Sequence, residues 1–177
     1  MDERNQQGRL AFSGRRFDVR IVETPARGGG TTRRDVGVHP GSVVVLAVAD
    51  DGRIVMIRNR RVAAGRTLWE LPAGTMEPPE PADRCALREL REETGYQAAR
   101  LERLTGFFTT PGFCSEWMEA FVARELTCVG QATEAGEEIT VELVDPARLR
   151  HMMFSGEIAD AKTIAALGLY LLGEGAS

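Results

Sequence analysis

The residue pattern predicts an α+β domain: an α/β/α sandwich with a central mixed β-sheet between helices, preceded by antiparallel strands. Three observations carry that expectation. Short runs rich in β-branched residues, separated by turn residues, dominate the chain. One of them, Val43 to Ala49, is apolar throughout, as a strand buried on both faces would be. A helix-periodic stretch stands between strands at Pro81 to Gly95, and two further helical stretches close the chain.

Residues 1–14 are polar and are expected to form a disordered tail. Residues 15–40 read as a separate β-strand region and residues 41–173 as the main domain. In the first region Phe17, Val19 and Ile21 alternate with polar residues, the period of a half-buried strand. A glycine-rich turn at Ala26 to Gly30 leads into a second extended segment, Thr31 to Val38. A two-stranded hairpin is marginal alone in water, so this piece must dock on its own domain or on a partner subunit.

In the main domain, Asp50-Asp51-Gly52 is a turn signal that predicts a hairpin between Val43–Ala49 and Arg53–Arg58. Leu68 to Leu71 is a short strand stopped by Pro72-Ala73-Gly74. Pro81 suits the first turn of a helix, and Gly95 suits its end. Arg100–Phe108, Trp117–Leu126 and Ile139–Val144 read as strands. Asp145-Pro146 is an N-cap followed by proline at the first helical position, and a last apolar helix runs from about Asp160 to Leu172.

The 177 residues suffice for one domain with a full core. A formal charge of −4 excludes a nucleic-acid binder that relies on bulk positive charge. No segment reaches the roughly 20 apolar residues needed to span a bilayer. Cys85, Cys114 and Cys128 are odd in number and lack metal-ligand spacing, so they read as free thiols in a reducing cytoplasm. His39 and His151 stand without an evident partner in the sequence.

The stretch from Gly74 to Tyr96 carries the most chemistry. On a helix at about 100° per residue, Glu89, Glu92 and Glu93 share one arc beside an apolar face of Ala86, Leu87 and Leu90. Like charges four apart cost a helix about 0.2–0.5 kcal/mol, so a carboxylate cluster kept there suits a hard divalent cation. The competing reading is a solvated helix laced with Arg/Glu pairs such as Arg88 with Glu92.

The order Gly74, Glu80, Arg88-Glu89-Leu90, Glu92-Glu93, Gly95-Tyr96 resembles the signature of the Nudix hydrolases, with Tyr96 at its last apolar position. The flanks are similar to the ADP-ribose pyrophosphatase branch over about Phe17 to Leu172: His39 to Val43, Ile57 to Arg61, Trp69 to Gly74, Thr110 to Phe113, Ser115-Glu116 and Gly156 to Thr163. Pro111, sixteen residues after Gly95, is the mark of that branch. Asn59, Arg60 and Thr110 depart from its usual residues.

The resemblance implies a Nudix fold and Mg²⁺-dependent hydrolysis of ADP-ribose to AMP and ribose 5-phosphate, with Mn²⁺ able to substitute. It implies metal ligands at Glu89, Glu92 and Glu93 and at the backbone of Ala73, with Glu80 orienting the loop. The base is expected on the loop before the last strand: Glu137 first, then Glu138 and Glu134. Substrate contacts are expected from Arg61, Glu116, Arg34, Pro111 and Glu70 in a homodimer with exchanged N-terminal strands. Two alternatives stay open: a hydrolase of another nucleoside diphosphate sugar such as GDP-mannose, and a module that senses ADP-ribose without cleaving it.

Overall fold

Strand β4 (Ser42–Ala47) runs through the middle of the domain with every residue buried. Its odd and even positions serve different layers. Val43, Val45 and Ala47 pack with Cys85, Ala86 and Leu90 of helix α1 (Ala82–Thr94), together with Phe121. Val44 and Leu46 pack with Leu149 and Met152 of α2 (Pro146–Ser155) and with Leu167 and Leu171 of α3 (Ala161–Gly173). Fully burying a Val or Leu side chain contributes about 1.5–3 kcal/mol, so this one strand anchors helices on both sides.

The structure, a computed structural model, describes residues 8–132 and 138–173. Around β4 lies a four-stranded mixed sheet in the order β7-β4-β9-β8, where β7 is Ala73–Thr75, β8 Tyr96–Phe108 and β9 Trp117–Cys128. β4 runs parallel to β9 and antiparallel to β7. A three-stranded antiparallel sheet has the order β10-β5-β6: β10 is Ile139–Val144, β5 Ile54–Arg61 and β6 Arg66–Glu70. A third sheet holds β1 (Arg9–Ser13), β2 (Asp18–Pro25) and β3 (Thr31–Val38). The α/β/α sandwich, the mixed sheet and the added N-terminal strands agree with the sequence.

Three expectations change. Residues 9–13 of the supposed tail form β1, which pairs antiparallel with β2 although all of its side chains are exposed. Backbone pairing defines that strand, so its side-chain pattern does not announce it. The Asp50–Gly52 turn closes through Gly52 N–H to Ala49 O (2.9 Å), but β4 and β5 share only the isolated bridge Val48–Ile54 and then enter different sheets. A true hairpin would hold both strands in one sheet. Here each strand has other partners: β4 meets β7 and β9, and β5 meets β10 and β6. Finally, Ala73–Thr75 adds a short strand rather than merely ending one.

The helix signals held. α1 begins after Pro81 and ends at Gly95, whose φ of 74° is left-handed and whose notional Cβ would meet the carbonyl carbon of Gly130 at 2.7 Å. A side chain there would be strained both by backbone conformation and by contact. α2 starts as expected, with the Asp145 carboxylate accepting from Ala147 N–H and Pro146 at N1. The N-terminal sheet docks on its own chain: Gly37 N–H donates to Phe113 O (2.7 Å), and Ser115 N–H donates to Gly37 O (2.8 Å).

Candidate active site

Strand β7 brings backbone alongside α1, and the contact is too close for a side chain. A Cβ on Gly74 would stand 1.9 Å from the Glu89 carboxylate. One residue earlier, Ala73 N–H donates to Glu93 Oε2 at 2.9 Å, and Glu93 is only 4% exposed. The carboxylates at the first and fifth positions of the arc are thus seated on the backbone of β7.

Arg88 holds the cluster together. It makes a fork to Glu80, Nε to Oε1 and Nη2 to Oε2, both at 3.0 Å. Its Nη1 donates to Glu89 (2.7 Å) and to Glu92 (3.1 Å). One guanidinium therefore offsets the repulsion among three carboxylates. Its hydrogen bond to Glu80 and the nearby Glu89 hold Arg88 firmly protonated, above its ordinary range. The same hydrogen bond holds Glu80 below the usual carboxylate range. Glu80 is thus paired with Arg88, and the Arg88–Glu92 pair of the competing reading is present as well. Cys85 is pushed up to about 12, chiefly by burial, so its thiol stays protonated and serves packing.

Glu89, Glu92, Glu93, Ala73 and Gly74 line one cavity of about 320 Å³ together with Arg61, Arg15 and Arg16. Among the described residues no group of three or more His, Cys, Asp or Glu side chains is arranged to hold a metal ion by itself. The donors nonetheless fit a divalent cation: they are carboxylate oxygens on one helical arc, and the missing side chain at Gly74 gives Glu89 its seat.

A second cavity, about 610 Å³, shares Arg16, Arg61 and Ala73–Thr75 with the first. Glu116 lines it, held by Ser42 Oγ (2.7 Å) and Thr109 Oγ1 (2.6 Å), with His39 Nδ1 at 3.9 Å. Burial pushes His39 below its ordinary value, against the opposing pull of Glu116. Arg61 stands at the junction of the two cavities. Arg34 and Pro111 line a third cleft, which meets the second at His39, Phe113 and Cys114.

Glu70, expected at the substrate, lines none of these three cavities. Its side chain is fully buried, and its oxygens accept from Arg61 Nε (2.8 Å), Arg61 Nη2 (2.6 Å) and Lys162 Nζ (2.6 Å). A carboxylate so enclosed stands behind Arg61 instead of meeting a ligand. Glu134 and Glu137 lie outside the described residues; Glu138 is exposed. The chain leading to them is tied to the end of α1, because Gln131 Nε2 donates to Glu93 O and Ala132 N–H to Glu92 O. Residue reading missed Arg15, Arg16, Asp160 and Lys162 as cavity walls. The available signals were the Arg15-Arg16 basic pair and the Gly156 to Thr163 segment, neither of which has recognisable chemistry until the fold places it.

The NUDIX domain family model matches residues 38–167. The chain is 37% identical over 169 residues to the ADP-ribose pyrophosphatase of Bacillus subtilis (strain 168), covering 94% of this chain and 91% of the relative. It is 33% identical over 168 residues to the methanol dehydrogenase activator of Bacillus methanolicus, again covering 94% and 91%. A crystal structure of an ADP compounds hydrolase matches with a TM-score of 0.82 over 96% of this chain and 94% of that one, at 23% identity, which bears on the fold.

The Arg88 fork sets a pH dependence. Glu80 is lowered, so its pair with Arg88 stabilises the fold above the ordinary carboxyl range and loses that contribution as pH falls through the lowered value. Arg88→Ala should therefore be less stable than wild type at neutral pH, with the gap closing as pH falls. Urea unfolding of both proteins from neutral to acid pH checks this, and a gap independent of pH would contradict the pairing.

Proposed function

The chain belongs to the Nudix family of hydrolases, and on that premise we propose that it hydrolyses ADP-ribose to AMP and ribose 5-phosphate. The observation that carries the proposal is the carboxylate arc seated on β7, opening onto a cavity that continues past Arg61 into a second, larger one. A molecule with a diphosphate between two bulky ends suits that shape. The relative from Bacillus subtilis, named for this activity, supports the choice of ADP-ribose.

Nudix hydrolases use divalent metal ions, and here the ion is proposed to be Mg²⁺, with Mn²⁺ as a substitute. Bound at Glu89, Glu92 and Glu93 it would supply positive charge and an acidified water. The remaining work falls to the protein. Arg61, kept protonated by its hydrogen bonds to Glu70, meets the diphosphate oxygens. Glu116 is proposed to receive the terminal ribose, since Ser42 and Thr109 fix its carboxylate at the wall of the second cavity. Water adds to one phosphorus, the bridging P–O bond breaks, and the proton of the water passes to a base. That base is proposed to be Glu137, with Glu138 next.

A homodimer is proposed as well, with Arg34 reaching the partner's site. Leu10, Phe12 and Phe17 are 46%, 61% and 47% exposed on the N-terminal segment, a surface that a second copy would cover. Three unpaired cysteines suit a reducing compartment, here the cytoplasm, and among the described residues no helix is long and apolar enough to cross a membrane.

Purified protein with Mg²⁺ should release AMP from ADP-ribose with a higher kcat/KM than from GDP-mannose, NADH or FAD; no AMP, or tight binding without turnover, would refute the reading. Glu93→Gln should lower kcat about a thousandfold while the fold persists, the scale for losing a group that stabilises developing charge. Glu137→Gln should slow turnover by about 10²-fold or more with metal affinity retained, and an equal loss from Glu138→Gln alone would move the base. Deleting residues 1–38 should abolish the dimer in sedimentation, and an intact active dimer would overturn the proposed interface.

A further inference from the structure

We propose that Glu70 is a positioning residue that sets the orientation of Arg61 at the junction of the two cavities, with Lys162 offsetting its charge. The inference rests on the reading that Arg61 meets the diphosphate. Ile57 stands opposite Glu70 and Arg61 opposite Arg66, so Arg61 and Glu70 share one face of the β5–β6 pair. The fork between them uses Nε and Nη2. Nη1 lies outside that fork, and Arg61 lines both cavities.

An exposed arginine at a strand end would have to give up rotamer freedom to grip a ligand. Arg61 gives it up on folding, because a fully buried carboxylate holds it.

The rest of the cluster explains why this carboxylate does not cancel the charge it positions. Lys162, the single lysine of the chain, donates to both Glu70 (2.6 Å) and Asp160 (2.8 Å). Glu70 is thus shared between two cations, and its two oxygens do not serve Arg61 alone. Asp160 also accepts from Thr163 N–H (3.1 Å) and Thr163 Oγ1 (2.6 Å), and Leu71 N–H donates to Thr163 Oγ1 (2.9 Å). The first turn of α3 is thus bonded to the residue after Glu70, two residues before Ala73 on β7. One network ties the phosphate-facing arginine to the strand that seats Glu93.

A double-mutant cycle tests this on whichever nucleoside diphosphate sugar the wild type turns over best, so that failure of ADP-ribose as substrate leaves the test standing. Arg61→Ala and Glu70→Gln should each lower kcat/KM by about 10- to 100-fold, the scale of a charge-assisted hydrogen bond. The double variant should lose no more than Arg61→Ala alone. Losses that multiply, or an unchanged Glu70→Gln, would overturn the proposal.

If Glu70→Gln does not fold, Arg61→Ala decides alone. Guanidinium ion below denaturing concentration should restore activity by occupying the seat on Glu70, and methylammonium, which has no fork, should not. Absence of rescue, or equal rescue by the two ions, would overturn the assignment.

Discussion

The contact between Gly74 and the Glu89 carboxylate leaves no room for a β-carbon, and the arrangement of the site follows from it. A helix that presents carboxylates along one arc has to keep them apart, neutralise them or seat them on donors. This chain does all three. Glu93 takes a backbone N–H from Ala73, Glu89 lies on glycine, and Arg88 gathers Glu80, Glu89 and Glu92. β7 is itself held against β4, the most buried strand, through Ser42–Thr75, Val43–Gly74 and Val44–Ala73. The rigidity of the core is passed to the carboxylates through three residues of strand.

The same electrostatic solution recurs a short distance away with the signs exchanged. Around Arg88 one cation serves several anions, whereas around Glu70 one carboxylate is shared by two cations, the second of which also pairs with Asp160. Each arrangement leaves some charge facing the cavities: carboxylate on one side, guanidinium on the other. A diphosphate with a divalent cation needs both signs, separated and fixed. A buried ion pair is costly if either partner is lost, so such clusters fix geometry more reliably than they add stability.

Local signals were read well where short-range physics decides the outcome. α1 between Pro81 and Gly95, the Asp145 cap with Pro146 behind it, and the twofold burial of Val43 to Ala47 all follow from spacing and residue type. β1 has no side-chain signal because its side chains are exposed, and the Asp50–Gly52 turn does not say which strands lie beside β4 and β5. Glu70 is expected at the substrate because Trp69 to Gly74 resembles the family; its enclosure depends on Arg61, across the β5–β6 pair, and on Lys162, far along the chain.

The order of residues alone determined the helix, the arc of glutamates on it and the family, because these depend on periodicity and fixed offsets over some twenty positions. Tertiary structure alone decided which carboxylates face a cavity and which stand behind one. Glu93 and Glu70 are the same residue type, the first between Glu92 and Thr94 and the second between Trp69 and Leu71. The first lines a cavity, held by a backbone amide, and the second is closed in by two cations that arrive from β5 and α3. Burial and long-range pairing arise only when the sheets and helices meet, and they decide what a buried carboxylate can touch.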